Sequence, residues 1–394
     1  MTARLVCPYC YESFRPWEMR FRCTGRTSRS GRACSREVDE ALWKRTGRRD
    51  ALPPVFSARG LRQRAVCPRC GDETDYRVCP VCHSELPLGF GRVSSRLIAV
   101  IGARESGKTV FMTVLIHELT HRVGDRFRAS VVGSDDHTRS RFSAAYEKVL
   151  YEAGALAPFT RSAGQQEAGR VEPLVFRLST ERTGLLGRPR TARTLLSFFD
   201  TAGEDLASQS GVEMHARYLA SADGIVLVVD PLQMPGARLL AAEGSLLPVM
   251  LTTADTPSNV LSRVTDLLGH DLRHRPSARI GKPVAVAFSK LDALWHRFDP
   301  ASPLRRHADH GPRFDVADSL IVHEEVKALL HDWEGGQMDS LLRHNYSRYR
   351  YFGLSALGET PTPENRVSPR GIRPYRVQDP LLWLLAEFGT IPKS

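Results

Sequence analysis

Arg96-Leu97-Ile98-Ala99-Val100-Ile101-Gly102-Ala103-Arg104-Glu105-Ser106-Gly107-Lys108-Thr109 joins a continuous apolar run to a turn framed by glycines. The apolar run reads as a strand buried on both faces. From Gly102 to Thr109 the chain fits G-x-x-x-x-G-K-[ST] in full, with a helix expected over Val110–Arg122. The glycines let the backbone curl so that the N–H groups of Ala103, Arg104, Glu105 and Ser106 face phosphate oxygens, and the start of the helix adds positive dipole. This predicts that Lys108 reaches the β- and γ-phosphates of a bound nucleotide and that Thr109 ligates Mg²⁺ through its hydroxyl.

Outward from this loop, strands are expected at Leu174–Leu178, Thr194–Phe199, Gly224–Asp230, Pro283–Ser289 and Tyr349–Ser355. A second helix is expected over Ser134–Ala153 and a closing helix over Asp379–Phe388. Gly184–Arg190 reads as turn-rich, and Pro300–Pro312 and Thr360–Pro374 as exposed loops. Continuous apolar strands alternating with helices predict an α/β domain of three layers, with a mostly parallel sheet, over residues 95–390. Two insertions are expected, one between Thr109 and Asp200 and one near Pro300–Asn345. The longest apolar runs, such as Ile225–Val229, are strand-sized, so no membrane span is predicted.

Three further elements follow in order. Leu195–Phe199 leads into Asp200-Thr201-Ala202-Gly203-Glu204; Phe288-Ser289-Lys290-Leu291-Asp292 follows another strand; Ser355-Ala356-Leu357 follows the last. With the loop at Gly102, these resemble the motifs of Ras-like P-loop GTPases of the TRAFAC class, and the combination is similar to the bacterial double-GTPase proteins associated with conflict or signalling systems. The resemblance implies GTP and GDP as ligands with Mg²⁺. Asp200 would bond a water in the Mg²⁺ shell, and the Gly203 N–H would sense the γ-phosphate. Asp292 would accept from guanine N1–H and the 2-amino group, a pair adenine lacks. The Lys290 stem would cover the base, and Ser355, Ala356 and Leu357 would meet guanine O6 through backbone. Ser289 stands where the family usually has Asn or Thr, so a shorter side chain must tie this loop to the phosphate loop. For the switch threonine we take Thr160, with Thr138, Thr191 and Thr194 as alternatives. Glu204 occupies the place of the Gln that orients attacking water, which implies slow hydrolysis or a partner supplying an arginine. Arg104 offers a cationic group in cis; an exposed loop arginine is the plainer expectation.

All 8 cysteines lie between Cys7 and Cys82. Clustering of this kind in a chain with no export signal argues for metal ligation over disulfides and for the cytoplasm. Cys67, Cys70, Cys79 and Cys82 form C-x2-C-x8-C-x2-C and are expected to hold one Zn²⁺ in a ribbon over 65–90. Cys7, Cys10, Cys23 and Cys34 are expected to hold a second Zn²⁺ in a module over 1–40, with 41–64 as an Arg-rich linker. Cys79–His83 also reads C-x-x-C-H, a haem pattern disfavoured by the paired cysteines upstream, and His83 is expected to be a surface neighbour. His117-Glu118-Leu119-Thr120-His121 matches the zinc-protease signature H-E-x-x-H, but lies on the helix that the phosphate loop already claims.

The formal net charge is +11. Met1–Arg96 holds 19 Lys and Arg against 10 Asp and Glu, so nucleic acid is an admissible partner for the zinc modules, beside an effector or activator protein. The expected function is GTP hydrolysis to GDP and phosphate in a molecular switch with the zinc modules as docking platform. The alternatives are a nucleotide-gated scaffold with negligible turnover and a P-loop ATPase with a nucleic-acid-binding zinc ribbon.

Overall fold

The computed structural model describes residues 4–29, 31–59, 62–122, 127, 129–156, 173–183, 189–200, 216–249, 256–269, 278–307 and 311–394. The central strand, β1 (Ser94–Gly102), is joined in a seven-stranded sheet by β2 (Ala129–Gly133), β3 (Leu174–Thr183), β4 (Pro189–Asp200), β5 (Gly224–Val229), β6 (Val284–Phe288) and β7 (Tyr349–Gly353). The order is β2-β3-β4-β1-β5-β6-β7. β4, β1, β5, β6 and β7 run parallel, while β3 is antiparallel to both β2 and β4.

Because side chains alternate along a strand, the central strands feed two cores. Leu97, Ala99, Ile101, Ile225, Leu227 and Val286 face one side; Ile98, Val100, Val226, Val228 and Ala285 face the other. The first face is covered by α3 (Pro257–Gly269), α4 (Val316–Asp332) and α5 (Gly336–Asn345), through Val260, Val264, Val322, Val326 and Leu342. The second is covered by α1 (Lys108–His121) and α6 (Asp379–Glu387), through Phe111, Leu115, Leu381 and Leu384. This is the three-layer α/β architecture expected from sequence. Among the described residues, no helix is long and apolar enough to cross a membrane.

One stretch differs from expectation. Ser134–Ala153 is not one helix: α2 (Asp136–Phe142), capped by Asp135, passes into a π-helix over Ser143–Glu152. Within the insertion expected near Pro300–Asn345 the chain forms α4 and α5.

The N-terminal region is a single interlaced unit, not two modules on a linker. Arg20–Arg22 pairs antiparallel with both Val55–Phe56 and Arg77–Val78, drawing 1–40, 41–64 and 65–90 into one sheet. The expected linker itself carries a helix, Glu40–Thr46, capped by Asp39 at its start and by Gly47 at its end. The unit docks on the α/β domain. Ser197 Oγ donates to Pro8 O at 2.8 Å, Tyr9 Oη to Asp135 Oδ2 at 2.6 Å, and Ser221 Oγ to Tyr11 O at 3.2 Å. The Tyr11 ring lies 4.9 Å from that of Tyr218, both fully or nearly buried.

α4 is fixed to β7 by a histidine that has no room for a second proton. The backbone N–H of Tyr351 donates to His323 Nδ1 at 3.0 Å, and the imidazole stacks on the Tyr351 ring. Burial, helped by Arg350, lowers the His323 pKa to about 4. The folded state therefore refuses a proton that the unfolded chain accepts near 6.5, and stability should be complete above pH 6.5 and decline as pH falls toward 4. In a urea titration series the loss from this group should be about 2 kcal/mol after allowance for solvent screening, and His323→Asn should flatten that part of the profile.

Candidate functional site

Five parallel strands end at one edge of the sheet, and the described residues of the phosphate loop, of Ser289–Asp292 and of Ser355–Leu357 lie in the loops there. β1 turns at Gly102, where an added Cβ would meet Val228 O at 2.2 Å, so β1 and β5 approach too closely for any side chain. Gly107 adopts φ +84° and Glu105 φ +60°, and these left-handed residues curl the loop back onto the start of α1. Lys108, buried at the first position of α1, donates through Nζ to Gly102 O at 3.0 Å and Ala103 O at 2.8 Å. Thr109 follows it on the helix. Arg104 is half-buried, not an exposed loop arginine, and its carbonyl accepts from Gln233 Nε2 at 2.6 Å.

The loop after β6 is bolted to this turn. Ser289 Oγ donates to Ser106 O at 2.8 Å and lies 3.2 Å from Val229 O, so the short side chain does bridge the two loops. Lys290, in the left-handed region at φ +54°, donates through Nζ to Glu105 O at 2.9 Å and pairs with Asp230 Oδ2 at 2.6 Å. Asp230 is fully buried and its other oxygen accepts from Leu232 N at 2.8 Å. Sequence reasoning counted Asp230 as the end of a strand and missed it; the signal was a carboxylate directly after an all-apolar run.

Beyond Lys290 the chain presents Asp292 to a cleft of about 560 Å³ that it shares with Trp295, Arg305, His307, Thr360 and Arg373, within the size range of ligand pockets. Asp292 Oδ1 accepts from Ser355 Oγ at 2.5 Å, and Oδ2 lies 3.4 Å from Thr360 Oγ1. Burial raises the Asp292 carboxyl above its usual value of 3.8, against the lowering effect of these hydroxyls. Ser355, Ala356 and Leu357 follow β7 directly, so two of the sequence motifs meet in one hydrogen bond.

Asp200 ends β4 in register with Val100, two residues before the phosphate loop begins. Thr160, Thr201, Ala202, Gly203 and Glu204, with the rest of the segment to Gly211, lie outside the described residues. The alternative threonines stand elsewhere. Thr138 is held by Asp135 at the start of α2, through both its N–H and its hydroxyl. Thr194 pairs with Ser94 at the far end of β1, about 20 Å along the strand from Asp200, and Thr191 is farther still.

The cysteines form two groups of four, but the grouping expected from sequence is wrong. Cys7 and Cys10 meet Cys79 and Cys82; Cys23 and Cys34 meet Cys67 and Cys70. The Sγ atoms of Cys7–Cys82, Cys10–Cys79 and Cys34–Cys67 are 3.8 Å apart, and those of Cys23–Cys70 3.5 Å. Disulfides would need about 2.05 Å, whereas four thiolates around zinc at 2.3 Å stand about 3.8 Å apart. The donor set and spacing fit Zn²⁺. Cys7, Cys67 and Cys79 each open the same tight turn, closed by Tyr11, Gly71 and His83 at positive φ. With Cys79 and Cys82 committed to a thiolate group, the haem pattern has no free pair. His83 is not a surface neighbour: its Nδ1 lies 2.9 Å from Asp39, which also pairs with Arg22.

Residues 96–348 match the family model described as Double-GTPase 2. The chain is 29% identical over 418 residues to a Mycolicibacterium smegmatis protein provisionally named an ESX-1 scaffolding and assembly protein, SaeC, covering 98% of this chain and 99% of that one. Among solved structures it is similar to the small GTPase Arl6 BBS3 of Trypanosoma brucei with bound GppNp, at 12% identity and TM-score 0.30 over 75% of this chain and 99% of that one. It is also similar to the G domain of the T. maritima FeoB iron transporter, at 12% identity and TM-score 0.25 over 68% and 91%.

The crossed grouping makes a sharp expectation for zinc counted by native mass spectrometry. Cys7→Ser with Cys82→Ser disables one group and should cost one zinc. Cys7→Ser with Cys23→Ser, which would share a site if the cysteines were grouped in chain order, should cost two.

Proposed function

We propose that this chain, which belongs to the Double-GTPase 2 family, is a guanine-nucleotide-binding assembly protein whose hydrolysis is slow without a partner. The observation that carries the reading is the bridge from Ser289 and Lys290 to the phosphate loop, with Asp292 two residues further on in a cleft beside Ser355. A base and a triphosphate held at two such tethered loops would be read as one ligand. Guanine would replace the weak Thr360 bond with two N–H donors to Asp292, which adenine cannot supply.

In this reading Lys108 exchanges its two carbonyl partners for phosphate oxygens, and the loop N–H groups spread the charge that develops as water attacks the γ-phosphate. Thr109 and Asp200 would hold Mg²⁺, which supplies charge neutralisation at the β- and γ-oxygens. Thr160, Gly203 and Glu204 are assigned to the switch segments. Glu204 would bring a second negative charge toward the phosphate, which supports slow turnover. The name of the M. smegmatis relative, a scaffolding and assembly protein, supports action through partner proteins.

The zinc unit would be the docking platform. It rests on the helical residues 216–221, which lie beyond residues 205–215 from the D-T-A-G-E segment in the chain: Tyr11 packs on Tyr218, and Glu12 pairs with Arg217 at 3.0 Å. A change at the γ-phosphate would reach the unit by that route. Reduced thiols and abundant GTP both suit the cytoplasm.

Competition of labelled GDP by unlabelled GDP and ADP is the test. Wild type should discriminate strongly, and Asp292→Asn should lose about 100-fold or more in GDP affinity with little change for ADP; equal competition by ADP in wild type would sink the reading. Since the carboxylate is the form that accepts from guanine, GDP affinity should fall as pH drops through the raised Asp292 value, by up to about tenfold per pH unit below it. Pre-bound GTP followed in a single turnover should release phosphate slowly.

A further inference from the structure

The sequence signature set aside as a decoy has a third arm in the fold. On α1, His117 and His121 lie four residues apart, one turn of helix, and their rings are 4.4 Å centre to centre. Facing both is Glu147, from the π-helix over Ser143–Glu152. One oxygen, Oε1, stands 2.8 Å from His117 Nδ1 and 3.4 Å from His121 Nε2. The candidate ligand atoms of the three residues all lie within 4.8 Å of one another. We propose that His117, His121 and Glu147 form a third metal site, distinct from the two cysteine groups, that takes Zn²⁺ through two imidazoles and one carboxylate and leaves a fourth position open to solvent.

Four observations carry this. The donor set, two histidines and a carboxylate, is one that zinc adopts with an open position. Bonds of 2.0–2.1 Å in a tetrahedron put ligand atoms about 3.3 Å apart, so the separations of 2.8 Å and 3.4 Å need only small rotations, and His121 is the more exposed of the pair. The His117 ring is already oriented: it stacks on Tyr151, of the same π-helix, at 3.8 Å and 20°, which fixes the plane of the imidazole. Finally, the wide π turn that brings both Glu147 and Tyr151 to α1 is a rare conformation that frequently marks functional sites.

The site is not that of a protease. Glu118, the carboxylate of H-E-x-x-H, is buried on another side of α1, where it accepts from Gln378 Nε2 at 3.3 Å and pairs with Arg122. Glu118 is therefore not placed to act as a base beside the ion. What the ion does is join two elements: the helix that begins with Lys108, and the π-helix whose chain runs on toward Thr160.

The experiment is zinc counting by native mass spectrometry on the full chain, purified and equilibrated with zinc sulfate. Wild type should carry three zinc ions per chain and H117A/H121A two, the remaining two serving as a check that the cysteine groups are folded. E147A should also carry two. Two ions in wild type at saturating zinc, or a third ion that persists in H117A/H121A, overturns the proposal. Should the double variant lose every ion, amide exchange in wild type decides. Stripping the most weakly held zinc with a dilute chelator should accelerate exchange over Ser143–Glu152; unchanged exchange there overturns the site.

Discussion

The ion pair between Lys290 and Asp230 is the constraint on which the ligand-facing edge depends. Asp230 has no exposed side-chain surface, and a carboxylate so placed without a cation would cost about 3–5 kcal/mol. Lys290 satisfies it at 2.6 Å and spends another N–H on Glu105 O. One ammonium thereby joins the ends of β1, β5 and β6. The left-handed backbone at Lys290 and at Glu105 is the local strain that this arrangement sustains. Remove the pair and three loops lose their common anchor, and with them the relation between the phosphate turn and Asp292.

The cysteine unit follows a different logic. Its strands are two or three residues long, and such short ladders do not hold without help. Each group of four thiolates takes two members from the first 34 residues and two from residues 67–82, so each ties distant parts of the chain together. A sequential pair of fingers would let each half fold alone. The crossed arrangement makes each group tie one half of the unit to the other, so that each bound metal would contribute its own share to folding of the unit.

How much of this was legible depended on whether a local pattern was sufficient. β1, β5 and β6 are continuous apolar runs because both faces are buried, and they were read within a residue or two. β2 is five residues with only Val131 and Gly133 buried among alternating exposed positions, too short to announce itself. The turn motifs of Cys7, Cys67 and Cys79 were visible as C-x2-C, yet their pairing was not, because spacing limits how far a loop reaches and not which partner it meets. Asp292 and Ser355 were found separately; that they touch is a fact of topology, fixed by β6 lying beside β7. His117 and His121 were seen as a face of a helix, while Glu147 became their neighbour only through a π-helix that no propensity foretells.

The contact between the cysteine unit and the α/β domain bears on how a nucleotide-dependent change would be felt. Tyr11 and Tyr218 are buried against each other, and burying a ring of this size is worth about 1.5–3 kcal/mol. Coupling between sites in proteins is commonly about 1–3 kcal/mol. The tilted pair of buried tyrosines alone therefore matches the free energy that a switch would have to deliver. Pro8 O and Tyr11 O are each held by a serine of the domain, Ser197 on β4 and Ser221 just before β5. β4 ends at Asp200, and residues 216–221 follow, after residues 205–215, the segment that carries Glu204. The unit thus grips the two pieces of chain on either side of the proposed γ-phosphate sensor. Movement of that sensor has to work against those bonds or carry the unit with it, and the second course is cheaper because it keeps both rings buried.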